Sequence, residues 1–172
     1  KMVNCALVQH IETLTQLVNA DGLSIFNQGD VFNHGHTPNK SLFYEIIQFL
    51  QLHTDKELFK DYNFRLNHQQ HFNEKLNFAG LMYLKVGLEN DYYLVWFRKA
   101  SQSRVMQIGQ NQNELRTADD LRFWEDVRYD VAKPWNDAEI NFVLRLNQII
   151  KESIFRKLKE RQLLNEELLS LN

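Results

Sequence analysis

Residues able to do chemistry are few in this chain, and they are scattered. The closely spaced imidazoles are His34-x-His36 and His68-x-x-His71. On a strand the first pair would point one way, and on a helix the second would share a face, so either could be half of a zinc site. No cysteine or neighbouring acid completes four ligands in sequence, and polar surface histidines are the favoured reading. Cys5 is the only cysteine. It rules out an internal disulfide and a thiolate zinc cage, and as a lone thiol it fits a reducing compartment. Within an opening helix it reads as a small buried apolar residue. Asp119-Asp120 could bind a cation or, more simply, favour the dipole at a helix N-terminus. Arg98 stands at a strand end, where it could face a partner as a latch or form an exposed ion pair, and the sequence leaves both open. No serine sits in a strained Gly-flanked elbow, and no glycine loop is built to cradle phosphate. With no nucleophile, base and orienter to assemble, an enzyme is not expected.

The scaffold carrying these groups has the composition of one globular domain. Of 172 residues, 44% are hydrophobic and 12% aromatic, enough for a real core and unlike a disordered chain. A net charge of −2, with no long run of one sign, argues against nucleic-acid binding by phosphate neutralisation. No apolar run approaches the ~20 residues of a membrane span, and no signal-peptide pattern is present. A cytoplasmic protein is expected, and a chain beginning at Lys1 reads as a segment of something longer.

Leu7, Ile11, Leu14 and Val18 form the stripe of an amphipathic helix over residues 2–18. Leu23-Ser24-Ile25-Phe26 and Val31-Phe32 predict two strands joined by the turn Asn27-Gln28-Gly29-Asp30. Thr37-Pro38 predicts the cap and first position of a helix carrying Leu42, Phe43, Ile46, Ile47 and Leu50. His53 to Asn77 reads as a short helix plus loop, and Phe78 to Leu88 as a strand. Tyr92 to Arg98 is an unbroken apolar run, which predicts a strand buried on both faces at the sheet's centre. A polar excursion follows, with a loose strand pattern at Arg104 to Ile108 and a helix pattern at Asp119 to Val127, returning through Trp124 to Trp135. Asn136 and Glu139 then have capping-box spacing, and no Gly or Pro interrupts 136–172. That helix is expected to bury Ile140, Val143, Leu144 and Phe142, and then to carry Ile150, Ile154, Leu158, Leu164, Leu168 and Leu171 as a coiled-coil seam. The order predicts an α+β domain, a central antiparallel sheet flanked by helices, with a long C-terminal helix.

Four places resemble the PHY domain of phytochromes, a variant of the GAF fold. Ala20-Asp21-Gly22 with Gly29, Val31, Gly35 and Thr37-Pro38 resembles its first hairpin. Ala79-Gly80-Leu81 and Tyr93-Leu94-Val95-Trp96-Phe97-Arg98 resemble its central strands. Trp124 with Asp126 resembles a Trp-x-Glu element, and Pro134-Trp135-Asn136-x-x-Glu139 resembles the entry to its exit helix. The resemblance implies a tongue that reaches back to a bilin-binding GAF domain, and a helical spine that carries the signal to an output module. The tongue's own motifs are degenerate. Gln107-Ile108-Gly109 stands where the family has Trp-Gly-Gly or Trp-Ala-Gly, and Thr117-Ala118-Asp119-Asp120-Leu121 where it has Pro-Arg-x-Ser-Phe. A short or disordered arm follows as an expectation, with Arg98, Gly109, Trp124 and Asp126 as candidate interdomain contacts.

The resemblance thus implies a non-catalytic relay domain of a sensor histidine kinase, over residues 1–155, with residues 156–172 as a helical linker toward the output module. The partners expected are a parallel second copy through Ile150, Ile154, Leu158, Leu164, Leu168 and Leu171, an upstream GAF- or PAS-type domain and a downstream kinase in the same chain. No cofactor or metal is expected in this segment, a bilin belonging only to an upstream domain. The competing expectation is a ligand-sensing GAF domain, with a closed pocket lined by the Phe78–Leu88 and Tyr92–Arg98 strands.

Overall fold

A computed structural model describes residues 2–87, 92–101 and 131–171. In chain order the elements are helices α1 (Met2–Gln9) and α2 (Ile11–Leu17), strands β1 (Gly22–Asn27) and β2 (Asp30–Gly35), and helix α3 (Lys40–His53). Strand β3 (Leu58–Asp61), helix α4 (Phe64–His68) and a 3-10 turn (Gln69–His71) follow. Strands β4 (Gly80–Val86) and β5 (Tyr92–Arg98) lead to helix α5 (Asp137–Ser170). The strands form an antiparallel sheet in the order β2-β1-β5-β4-β3.

The unbroken apolar run of β5 has the predicted consequence. The strand lies at the centre of the sheet, and the period-2 alternation of its side chains divides two cores. Tyr93, Val95 and Phe97 face one layer, where they meet Phe43, Ile46 and Leu50 of α3 and Phe64 of α4. Leu94 and Trp96 face the other, where they meet Leu7, Leu14 and Val18 from the N-terminus and Val143 and Ile150 of α5. Helices from both ends of the chain therefore share one face of the sheet. Trp96 is fully buried there, and its indole N–H donates to the Leu14 carbonyl at 3.1 Å, so the largest side chain of the core also fixes α2.

Local structure differs from the sequence pattern in three places. The stripe over 2–18 is two helices kinked at His10, bracketed by bonds from the His10 N–H to Ala6 O and from the Leu14 N–H to His10 O, which keeps Leu7 and Leu14 on one core. Cys5 falls in α1, and the side chains of residues 2–5 lie outside the description. Asn39, not Thr37, caps α3: its Oδ1 accepts from the Leu42 N–H at 2.8 Å, the stronger cap at the better position. Residues 53–77, read as helix plus loop, contain strand β3, whose four residues acquire their structure only by pairing with β4. The turn at Asn27–Asp30 is as expected, with positive φ at both Gln28 (49°) and Gly29 (94°), the backbone of a tight hairpin with the twist of its strands.

Trp96→Ala is expected to lower stability by ~3–5 kcal/mol, the cost of emptying a fully buried aromatic site. Trp96→Phe should cost less but still measurably, because it leaves the buried Leu14 carbonyl without its donor. Urea denaturation of the two variants beside the parent checks both.

Candidate functional site

The candidate site is the joint at which β5 meets α5. Arg98 ends β5 with the parity of Leu94 and Trp96, so its side chain enters the helical face instead of solvent. It is 4% exposed. Its Nε donates to Asn19 O at 3.2 Å, Nη1 to Lys133 O at 2.8 Å, and Nη2 to Val18 O at 2.7 Å and to Glu139 Oε2 at 2.9 Å. The guanidinium also lies over the Trp135 ring, 4.6 Å from its centroid, a stacked geometry suited to arginine. Val18 and Asn19 follow α2, so Arg98 satisfies carbonyls that a helix end leaves without partners.

Glu139 is equally occupied. Its Oε1 accepts from the Asn136 N–H at 2.9 Å while Asn136 Oδ1 accepts from the Glu139 N–H at 2.8 Å, closing the capping box of α5. Its Oε2 accepts from Arg98 and from Asn19 Nδ2 at 2.7 Å. Burial pushes the carboxyl upward, but the Asn136 N–H, the Asn19 amide and the Arg98 guanidinium outweigh it, and the group is held below the usual carboxylate range. Asn19 reaches this position with φ 51°, a left-handed backbone that asparagine tolerates.

The polar excursion leaves and returns beside this joint. The Ser101 N–H donates to Val131 O at 2.7 Å, and the Ala132 N–H to Tyr62 O at 3.1 Å. A second clasp holds α5 two turns on, where Glu57 accepts from Asn147 Nδ2 at 3.1 Å and from Lys151 Nζ at 2.5 Å. The lysine contact chiefly holds the Glu57 carboxyl below its ordinary value.

Arg98 therefore forms neither an exposed strand-end pair nor a surface latch: its guanidinium is turned inward onto this chain's own groups. Gly109, Trp124 and Asp126, with the degenerate tongue motifs, the short-arm expectation and the patterns at 104–108 and 119–127, lie outside the described residues. Ile150, expected in an intermolecular seam, is 3% exposed and packs in the domain's own core. Ile154 is 36% exposed, Leu158 59%, Leu164 56%, Leu168 54% and Leu171 82%, so these five leave the domain with open apolar faces. Leu144, expected to be buried, is 47% exposed, because the inward face of α5 is set by Glu139, Val143, Asn147 and Ile150. The pair His34 and His36 does not converge: His34 lies in β2, while His36 Nε2 is bonded to Asn77 O at 2.5 Å. Among the described residues, no group of three or more His, Cys, Asp or Glu is arranged to hold a metal ion.

Asn19 and the second role of Glu139 were not visible in the sequence. Glu139 carried a capping signal, but nothing in spacing connects it to an arginine 41 residues away. The chemistry of the joint is positional: paired, saturated charges fix one element on another.

Arg98→Met or Glu139→Met should each cost ~3–5 kcal/mol, because each leaves its buried partner uncompensated. Replacing both with methionine should recover much of that loss, read by denaturation of the four proteins as a cycle. Because the Glu139 carboxyl is depressed on folding, its contribution is full above the ordinary carboxylate range and fades as pH falls through the depressed value. Glu139→Gln should flatten this part of the acid-stability profile.

The family model described as "Phytochrome region" matches residues 1–159. Cyanobacterial phytochrome B of Nostoc sp. is 24% identical over 176 residues, covering 95% of this chain and 23% of that protein. The crystal structure of a bacteriophytochrome from the photosynthetic bacterium R. palustris superposes with a TM-score of 0.58 at 17% identity, covering 89% of this chain and 32% of that one. The chain thus spans about a quarter of the length of the curated relative it matches, and no helix among the described residues is long and apolar enough to cross a membrane. The family match covers most of the chain, and the chain is a member of the PHY family, the phytochrome region.

Proposed function

We propose that this chain is the non-catalytic relay domain of a phytochrome-like sensor histidine kinase. It couples an upstream GAF- or PAS-type sensory domain to a downstream kinase through a dimeric helical spine. The observation carrying this reading is the Arg98–Glu139 joint. It fixes the first turn of α5 to the central strand beside the point where the excursion leaves and returns. A displacement of the excursion's base would therefore act on the helix at its origin. The exposed apolar residues Ile154, Leu158, Leu164, Leu168 and Leu171 then offer the helix a seam for a second copy. An upstream event shifts the output only by its differential interaction with two states of this domain. A bilin, in this reading, sits in an upstream domain and touches the chain only through the excursion.

The ligand-sensing alternative has less support. Over one face, Phe78 and Phe97 meet at 4.7 Å and Tyr83 stacks on Tyr93 at 5.5 Å, and over the other Trp96 fills the space between β5 and α2. Side chains occupy the region where a closed pocket between β4 and β5 would lie.

Sedimentation of the chain with and without residues 156–172 tests the spine. The longer form should be dimeric at micromolar to millimolar concentration and the truncated form monomeric. A monomer in both cases at the upper end of that range contradicts the reading.

A further inference from the structure

The layer opposite α5 holds a cluster that the relay reading does not use. The ring of Phe49, on α3, has three imidazoles about it: the centroids of His53, His68 and His71 each lie 5.1 Å away. His53 and His68 are 5.0 Å apart, and His68 and His71 are 6.1 Å apart. They come from α3, from α4 and from the turn that follows it, so the cluster spans the seam between α3 and the segment 64–72. Below it, Phe49 packs on Phe64 at 5.9 Å and on Phe72 at 5.4 Å, the two residues that anchor this segment in the core.

We propose that His53, His68 and His71, gathered around Phe49 with Asp61 as the one carboxylate facing His68 among the described residues, form a proton-sensitive clamp that loosens segment 64–72 from α3 in mildly acidic conditions. The groups facing His68 are Asp61 from β3, His53 from α3 and His71 from the turn. His68 Nε2 lies 3.5 Å from Asp61 Oδ2, but Asp61 also accepts from the Asn63 N–H at 2.8 Å and from Asn67 Nδ2 at 3.1 Å, so its charge is shared. One carboxylate cannot neutralise three imidazolium ions within two ring diameters of one another.

His68 is the member that decides the response, because its side chain is only 15% exposed. Burial pushes it below the ordinary histidine value; Asp61 opposes this, and His53 and His71 add to it. A histidine depressed on folding favours the neutral form, so its contribution is full above the ordinary histidine range and is lost as pH falls through the depressed value. The proton is then taken up preferentially by an opened segment, in which the three rings separate.

Amide hydrogen exchange of the 172-residue chain at pH 7.5 and 5.5 tests this, each rate corrected for intrinsic exchange. The opening equilibrium of amides 64–72 should rise severalfold at the lower pH, while amides of β1 and β5 change far less. His53→Gln with His71→Gln should raise the His68 titration midpoint, followed by its ring proton resonances, and reduce the pH response of the segment. High salt should reduce it as well in the parent protein, since two of the three rings are exposed to screening. Equal opening at the two pH values, or a His68 midpoint unmoved in the double variant, overturns the proposal.

Discussion

A buried charge needs its complement on hand, and this domain places the two halves of one ion pair on its two most consequential elements. Arg98 ends the central strand and Glu139 lies in the first turn of the exit helix. Uncompensated burial of either would be costly, so strand and helix keep their relative placement wherever the pair is intact. The carboxylate uses one oxygen for the capping box and the other for the arginine. The start of the helix and its attachment to the sheet are thereby a single contact. The helix cannot fray at its first turn without disturbing the joint, nor the joint shift without disturbing the cap.

The rest of the architecture is arranged around that fixed point. The guanidinium gathers carbonyls from the end of α2 and from the segment ahead of α5, and rests on Trp135. Three stretches of chain distant in sequence, 18–19, 98 and 133–139, converge on one guanidinium. Past Ile150 the outer half of the helix carries Ile154, Leu158, Leu164, Leu168 and Leu171 in the open. One end is over-determined and the other unsatisfied, which is the mechanical form of a lever whose fulcrum lies inside the sheet.

Much of the fold was legible in the sequence because local and tertiary demands agreed. The apolar run Tyr92–Arg98 announced a central strand, Asn27–Asp30 a tight hairpin, and Asn136 with Glu139 a helix start. The family resemblance rested on those same stretches. Structure was hidden where tertiary context decided. Strand β3 is too short and too polar to signal itself, and it exists by pairing with β4. Leu144 stands beside Val143 in the helical pattern, and the buried face of Glu139, Val143, Asn147 and Ile150 leaves it outside. The joint itself was the least legible feature. An arginine after an apolar strand reads as the place where the chain meets water, and only the return of the stretches 18–19 and 133–139 makes that position interior.

The central claim is that the Arg98–Glu139 contact sets the direction of α5 relative to the sheet. Pulsed electron–electron distance measurement tests it most directly, with spin labels at the exposed positions Gln48 on α3 and Glu152 on α5, in a Cys5→Ser background diluted with unlabelled chain. The account predicts one narrow distance distribution in the otherwise native protein. It predicts a broadened or displaced one in Arg98→Met under conditions where that variant remains folded. Identical narrow distributions in the two folded proteins would contradict it.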